Sequence, residues 1–168
     1  MGPVQAITNG LFKFPIFTGR ASRSEFWWFA PIAIAPPLYV ANEIAWTKFE
    51  FYGIWRVGLL ILAALPLLSA GSRRLQDVGE NGAQIMLPFT PFVLLWVTYQ
   101  ALYWFSLGTL IFGLGIIIGL AALLLLIPAY LFAFFVSFIT IGPIIGQLIL
   151  PSDVGSNPYG PNPNEVPT

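Results

Sequence analysis

The chain has 168 residues, of which 57% are hydrophobic and 8% are charged, and its seven basic and seven acidic residues balance at neutral pH. Soluble domains carry about 25% charged residues, so this composition excludes a water-soluble fold, and the zero net charge argues against nucleic acid as a partner. The chain has no cysteine and no histidine, which excludes disulfides, the usual zinc ligand sets and imidazole ligation of haem. We therefore expect an all-α, polytopic bundle of transmembrane helices with no cofactor and no metal.

Residues 1–22 form the first predicted region, a segment on the cytoplasmic side of the membrane or in its interface. Lys13 lies after the first apolar residues rather than before them, so the segment lacks the order of a cleavable signal peptide and should be retained. Its apolar residues can form one side of a short helix lying in the interface. These residues are Val4, Ile7, Leu11, Phe12 and Phe14.

The predicted transmembrane region, residues 23–150, opens with a span over residues 26–46. Ser22 and Glu25 have the spacing of a capping box, so the helix should begin near Arg23. Three prolines lie within the span, Pro31, Pro36 and Pro37. Because proline removes a backbone hydrogen bond and its ring crowds the preceding turn, this first helix should be kinked.

The second span is predicted over residues 54–72, after an interfacial loop at 46–52 that mixes charged and aromatic residues. Arg56 lies near enough to the start of this span to extend its guanidinium to the headgroups. A polar segment, residues 72–82, holds four charges and should form the second loop.

Residues 83–150 contain no charged residue. Because a span needs roughly 20 apolar residues, this stretch should hold three spans, which makes five in the chain. Four spans is the alternative, with two long spans here. The last predicted region, the proline-rich tail 151–168, should be extended or rich in turns.

Lysine and arginine decide the predicted orientation. Five of them fall on one side if the first two spans form a hairpin, namely Lys13, Arg20, Arg23, Arg73 and Arg74, against Lys48 and Arg56 on the other. The side with five should be cytoplasmic. The N-terminus is then inside the cell, and the tail lies outside for five spans or inside for four.

Six charged residues should meet at this cytoplasmic face: Arg20, Arg23, Glu25, Arg73, Arg74 and Asp77. Glu25 is placed to pair with Arg73 or Arg74, and Asp77 with Arg20 or Arg23. The first interpretation is structural, since interfacial ion pairs commonly fix helix packing. The alternative is that Arg20 and Arg23, beside the free amides of a helix start, bind an anion such as a lipid phosphate.

Four glycines in the apolar half have the spacing that lets two helices approach closely, Gly115, Gly119, Gly142 and Gly146. They predict helix packing within the chain or, alternatively, a face that binds a partner. No nucleophile with a base and no ionisable residue deep in the apolar half is present, so neither an enzyme nor an ion-translocating protein is expected.

Three motifs resemble one known family. Residues 19–29 read GRASRSEFWWF, residues 73–79 read RRLQDVG, and residues 151–163 read PSDVGSNPYGPNP. In this order they resemble the bacterial inner-membrane family called domain of unknown function 805, which implies a small multi-span protein whose activity is not established. Family members usually have RRLHD followed by GRSGW, whereas this chain has Gln76 and continues GENGA.

Two functional hypotheses follow. The first is a non-catalytic accessory or scaffold subunit that packs against a larger membrane complex. The second is a protein that binds or transports a lipid or a small molecule. The expected partners are membrane lipids and, under the first hypothesis, a larger membrane protein complex.

Overall fold

The structure, a computed structural model, describes residues 2–46, 53–109 and 113–165. The described residues form five α-helices and one short 3-10 helix, Gly82–Met86, without a named strand, so the all-α prediction is confirmed for them. Residues 47–52 of the predicted first loop lie outside the described residues. The helices are α1 (Pro3–Phe12), α2 (Arg23–Trp46), α3 (Gly53–Asp77), α4 (Thr90–Thr109) and α5 (Leu114–Ile149).

Helix α1 is short and packs on α2. Pro3 occupies its first turn, where the missing N–H costs nothing. Gly10 allows the close approach, because a Cβ at this position would lie 2.4 Å from the ring of Phe29. The opposite side of α1 leaves Val4, Leu11 and Phe12 exposed, which is the apolar side that the sequence predicted.

Helix α2 begins at Arg23 as predicted. The hydroxyl of Ser22 accepts a hydrogen bond from the backbone amide of Glu25 at 3.2 Å, which satisfies one of the free amides of the first turn. The helix is continuous to Trp46 although three prolines lie inside it.

Helix α3 extends one turn beyond its predicted end. The sequence placed residues 72–82 in a loop, but the helix continues to Asp77, so that prediction was wrong for its first residues. The physical reason is that Arg73, Arg74 and Asp77 are buried and paired, so the turn that carries them stays helical. Gly79 then reverses the chain with a φ of 80°, a conformation that glycine adopts without strain.

Residues 83–150 form two long helices, α4 and α5, rather than the three spans predicted, so a fifth span is not confirmed. Helix α5 has 36 residues and continues past Pro128 and Pro143. At 1.5 Å per residue it is about 54 Å long, against about 30 Å for the hydrocarbon core of a bilayer. One long helix therefore replaces two expected spans.

Two of the described helices are long and apolar enough to cross a membrane, by length and composition: Trp55–Asp77 and Leu114–Ile149. The surface of α5 is strongly apolar, with exposed Leu124, Leu125 and Phe138. Burial of such side chains from water is worth about 25 cal/mol per Å². Their exposure on a folded helix indicates an apolar surrounding.

The chain forms two compact units. The first, here called the capped unit, consists of Met1–Ile85 with Gly146–Thr168, and the second, the apolar unit, consists of Met86–Ile145. In the capped unit, α1, α2 and α3 pack on one another around Phe26, Phe29 and Leu75. The capped unit also contains all the charged residues of the chain.

Candidate functional site

Asp77 is the centre of the polar cluster in the capped unit. It lies in the last turn of α3 and is fully buried. Its Oδ1 accepts from Arg20 Nε at 2.9 Å, and its Oδ2 accepts from Arg74 Nη1 and from the hydroxyl of Ser152. Its backbone carbonyl accepts from the amide of Asp153 at 3.0 Å. One carboxylate thus joins the N-terminal segment, α3 and the tail.

Arg20 holds the tail in place. Its Nη1 donates to the carbonyl of Gly155 at 2.7 Å and to that of Gly160 at 3.3 Å, and its Nη2 donates to the carbonyl of Asp153 at 2.7 Å. The side chain is almost completely buried. A planar guanidinium with five N–H groups can reach several carbonyls at once, which an ammonium group cannot do with the same geometry.

Arg74 caps the C-terminal end of α5. Its Nε donates to the carbonyl of Leu148 at 3.1 Å and its Nη2 donates to the carbonyl of Leu150. The last carbonyls of a helix lack partners within the helix and carry partial negative charge. The buried Arg74 guanidinium gives these carbonyls a donor and places positive charge next to their partial negative charge. Asp77 pairs with this guanidinium.

Arg73 and Glu25 form a second buried ion pair, with 3.1 Å between Arg73 Nη1 and Glu25 Oε1. The backbone adds to this contact, because the amide of Ala21 donates to the carbonyl of Arg73 at 3.1 Å. Arg73 Nε and Nη2 have no acceptor among the described residues. Glu25 thus pairs with Arg73 and Asp77 with Arg20, each being one of its two predicted partners, but Asp77 also pairs with Arg74, which the sequence had predicted as a partner for Glu25.

Three polar side chains of α3 hold the segment before Arg20. Ser69 donates to the carbonyl of Ile16 at 2.7 Å, and Ser72 donates to that of Phe17 at 2.9 Å. Gln76 donates to the same Phe17 carbonyl at 3.1 Å. The resembled family usually has histidine at the position of Gln76. In this chain Gln76 holds the segment at Phe17.

Arg23 stands apart from the other five charged residues. Its side chain is exposed, and its Nη1 lies 3.4 Å from the carbonyl of Ile149, the long limit of a hydrogen bond. It borders a cavity of about 370 Å³ between the first turn of α2 and the tail. The lining residues are Arg23, Ser24, Pro151, Ser152, Asn162 and Asn164.

The tail supplies four of these six residues, and the sequence did not single them out as a site. Asn162 is buried, and its side-chain amide donates to the carbonyl of Asp153 at 2.9 Å. Asn164 donates to the hydroxyl of Ser152 at 3.1 Å. Their only signal was the recurrence of Asn with Pro and Gly, which is typical of turns closed by side chains.

The four glycines of the apolar half lie on α5 with different exposure. Gly115 is buried, Gly119 is half-buried, and Gly142 and Gly146 are exposed. A Cβ built on Gly119, Gly142 or Gly146 meets open space among the described residues. At these three positions the glycine is not needed for packing within the described chain.

The arrangement can offer hydrogen-bond donors to an anion. Arg23 is the charged residue among the described residues that line the cavity. Two carboxylates of the tail lie next to this lining: Asp153 follows Ser152, and Glu165 accepts from Asn162 at 3.0 Å. Arg23 is therefore the cation that an anion in the cavity would meet.

Comparison with known proteins gives a family and two relatives. A family model described as "Protein of unknown function (DUF805)" matches residues 14–161. Two proteins named "Inner membrane protein YhaI", from Escherichia coli strain K12 and from Escherichia coli O157:H7, are each 34% identical over 80 residues. The matched part is 46% of this chain and 64% of each relative, and no solved structure matches. The family model covers nearly the whole chain, and this protein belongs to the DUF805 family.

Proposed function

We propose that this protein is a multi-pass protein of the bacterial inner membrane that binds the phosphate headgroup of an anionic lipid at Arg23, on the cytoplasmic face. The observation that carries this proposal is the polar cavity beside Arg23, which has a basic residue and no acidic residue in its lining.

The membrane placement has two supports. The exposed surface of α5 consists of large apolar side chains, which suits hydrocarbon and not water. The two Escherichia coli relatives are named inner membrane proteins.

The proposed topology has four crossings rather than five, and contacts inside the capped unit support it. Glu25 at the start of α2 pairs with Arg73 at the end of α3, so α2 leaves this face and α3 returns to it. Arg20 and Asp77 then bind residues of the tail. Because the chain between α3 and the tail comes back to the same face, it crosses the membrane an even number of times.

The same contacts support the proposed orientation of the protein. Arg20, Arg73 and Arg74 lie together in the polar cluster, and basic residues mark the cytoplasmic side. Both the N-terminal segment and the tail are therefore cytoplasmic in this proposal.

Cysteine labelling tests the topology, since the chain has no cysteine of its own. Val154 in the tail is 92% exposed. We expect Val154→Cys to react with a membrane-impermeant maleimide in inside-out vesicles only. Trp55→Cys, at the opposite end of α3, should react in right-side-out vesicles only. Labelling of Val154→Cys from the outside would contradict the four-crossing topology.

The chemistry of the cavity supports phosphate as the ligand. Arg23 and Ser24 occupy the first turn of α2, where helix geometry leaves backbone amides without carbonyl partners and concentrates positive charge. The side chains of Arg23 and Ser24 add donors around the same space, whereas the Ser152 hydroxyl donates to Asp77. Phosphate binding at a helix start beside an arginine uses both features.

Native mass spectrometry of the purified, delipidated protein tests this function. Titration with phosphatidylglycerol should give about tenfold weaker binding for Arg23→Ala, since a hydrogen bond to a charged group is worth about 1.5–3 kcal/mol. Lys13→Ala is the matched control, because it removes an exposed positive charge from the same face but not from the cavity. Equal lipid binding by wild type and Arg23→Ala would refute the proposed function.

An accessory subunit is the second candidate. It is supported by the open space beside Gly119 and Gly142, where the backbone of a partner helix would come close. The same surface also suits lipid chains, so this candidate ranks behind the headgroup site.

A further inference from the structure

We infer that α1 and the residues that follow it to Ile16 are inserted among the acyl chains of the cytoplasmic leaflet, with lipid chains covering their outer face. The contacts of α1 with α2 and α3 indicate a greater depth than the interfacial position expected from the sequence. This inference rests on the membrane placement and orientation in the proposed function, and it does not depend on the headgroup site at Arg23.

The outer face of α1 presents large apolar side chains. Val4, Leu11 and Phe12 are exposed, and their spacings of seven and eight residues place them on one side of the helix. Thr8 lies among them, and its hydroxyl donates to the carbonyl of Val4 at 2.7 Å, so its polar group has a partner within the helix. Ile16 continues the exposed apolar surface beyond α1. Such a surface is suited to hydrocarbon.

The contact between α1 and α2 gives a first measure of depth. Gly10 packs on the ring of Phe29, which lies six residues after Arg23. At 1.5 Å per residue, six residues correspond to about 9 Å along α2. Because Arg23 lies at the polar face, α1 lies about 9 Å from that face towards the membrane interior.

The contact with α3 gives a second measure. Ser69 donates to the carbonyl of Lys13 at 3.2 Å and to that of Ile16 at 2.7 Å. Ser69 lies eight residues before Asp77, or about 12 Å along α3, within the apolar helix Trp55–Asp77 that is long enough to cross a membrane. Because the headgroup region of one leaflet is about 5–8 Å thick, a depth of about 9–12 Å below the charged residues reaches the acyl chains.

A polar edge separates the inner and outer faces of α1. Gln5, Asn9 and Lys13 recur at every fourth residue, so they follow one side of the helix and its C-cap. A helix with its side chains is about 10–12 Å across, so an edge turned to the polar face lies about 5–6 Å above the helix axis. The long stem of Lys13, which is exposed, carries its charge from there to water. The edge therefore allows α1 to be inserted without burying a charge.

The surface of α2 at the same depth is also apolar and open. Trp28 and Ile32, on either side of Phe29 in the sequence, are exposed. Two neighbouring helices of the capped unit thus present apolar side chains to one layer of the membrane. Lipid chains, which form that layer, are the partner that this surface fits.

Spin labelling of the full-length protein in liposomes of phosphatidylglycerol and phosphatidylethanolamine tests the insertion, since the chain has no cysteine of its own. A nitroxide at Phe12→Cys should be several-fold more accessible to oxygen, which concentrates among acyl chains, than to a water-soluble nickel chelate. Phe12 is 81% exposed, so the label removes little packing. A nitroxide at Val154→Cys, in the exposed tail, should show the reverse preference.

Two glycine variants test what sets the depth. Gly10→Leu prevents close packing on Phe29, because a Cβ at Gly10 would already lie 2.4 Å from that ring. The Phe12 label should then move towards the polar face and become several-fold more accessible to the nickel chelate. Gly2→Leu is the matched control, since a Cβ at Gly2 meets open space and the label should not move. An unmoved label in both variants would overturn the depth derived from the contact with α2.

Two results at Phe12 would overturn the insertion. Preference for the nickel chelate would place α1 in water, and exclusion of both reagents would mean that a second copy or another protein covers the face. Leu124→Cys, at an exposed position of α5, separates these results from a failure of the proposed function. Loss of the oxygen preference at Leu124 as well would contradict the membrane placement itself, whereas the headgroup site is tested independently by Arg23→Ala.

Discussion

The two units of this chain place polar and apolar groups in opposite ways. In the capped unit, Arg74 and Asp77 are among the largest side chains that are fully buried. In the apolar unit, which has no charged residue, leucine and phenylalanine side chains such as Leu124 and Phe138 are exposed. Hydrogen bonds and ion pairs between a few buried groups therefore hold the capped unit together. The surface of the apolar unit is instead suited to an apolar surrounding.

This difference predicts unequal sensitivity to substitution. Removing one partner of a buried ion pair leaves the other charge buried and uncompensated, which costs about 3–5 kcal/mol. Changing an exposed residue that meets open space costs about 0.5 kcal/mol or less.

The largest effect is expected for Asp77→Ala. It leaves Arg20 and Arg74 buried without their shared carboxylate, so the free energy of unfolding should fall by about 3–5 kcal/mol. Thermal unfolding in detergent, followed by tryptophan fluorescence, measures the change. Glu80→Ala is the control, because Glu80 is half-buried and its carboxylate accepts from Gln84, four residues away. An unchanged midpoint for Asp77→Ala would show that the cluster does not stabilise the capped unit.

Arg20→Lys should have the next largest effect, although it keeps the charge. Lysine cannot reach the carbonyls of Asp153, Gly155 and Gly160 with one planar fork, so the tail should loosen at a cost of about 2 kcal/mol. Limited proteolysis should then cut residues 151–165 faster than in wild type. Arg23→Lys, at an exposed site, should leave the cleavage rate unchanged, and equal rates in both variants would argue against the role of Arg20 in holding the tail.

Gly82→Ala tests close packing rather than charge in the capped unit. A Cβ at this position would lie 2.3 Å from the Ser72 hydroxyl and 2.6 Å from Gln76 Nε2. Both side chains hold Phe17, so the substitution should destabilise by about 1–3 kcal/mol. The control is Gly108→Ala in α4, which meets open space and should leave the melting temperature unchanged.

The smallest effect is expected for Gly142→Ala in the apolar unit. Its new methyl group meets open space, so the stability of the purified protein should change by about 0.5 kcal/mol or less. Gly142→Leu extends the comparison to the accessory-subunit hypothesis. Loss of a stoichiometric membrane partner on gentle extraction, without loss of stability, would favour that hypothesis over a lipid-facing surface.

Local signals predicted the parts of the fold that depend on neighbouring residues. The capping residues Ser22 and Glu25 placed the start of α2 at Arg23, where the structure has it. The end of α3 was predicted too early. A segment rich in charged residues is predicted to be a loop unless the partners of those charges are known. Those partners, Glu25 and Arg20, lie far away in the sequence.

The candidate site was only partly predictable for the same reason. The sequence grouped Arg20 and Arg23 as one anion site, but the structure buries Arg20 among tail carbonyls and leaves Arg23 at the cavity. The tail residues that line this cavity carried no recognisable pattern beyond turn formation. Their position depends on Arg20, which contacts Asp153 across a separation of 133 residues.

The amino-acid sequence by itself determined that this is an apolar chain of helices whose first long helix begins at Arg23, because composition and capping act within a few residues. Only the tertiary structure decided which arginine pairs with which carboxylate, that α3 continues to Asp77, and that the tail folds back onto the N-terminal segment. These features depend on hydrogen bonds between segments distant in the chain. No local pattern encodes them, since the partners Arg20 and Glu25 are far in the sequence from Asp77 and Arg73, and a buried charge is stable only when its partner is in place.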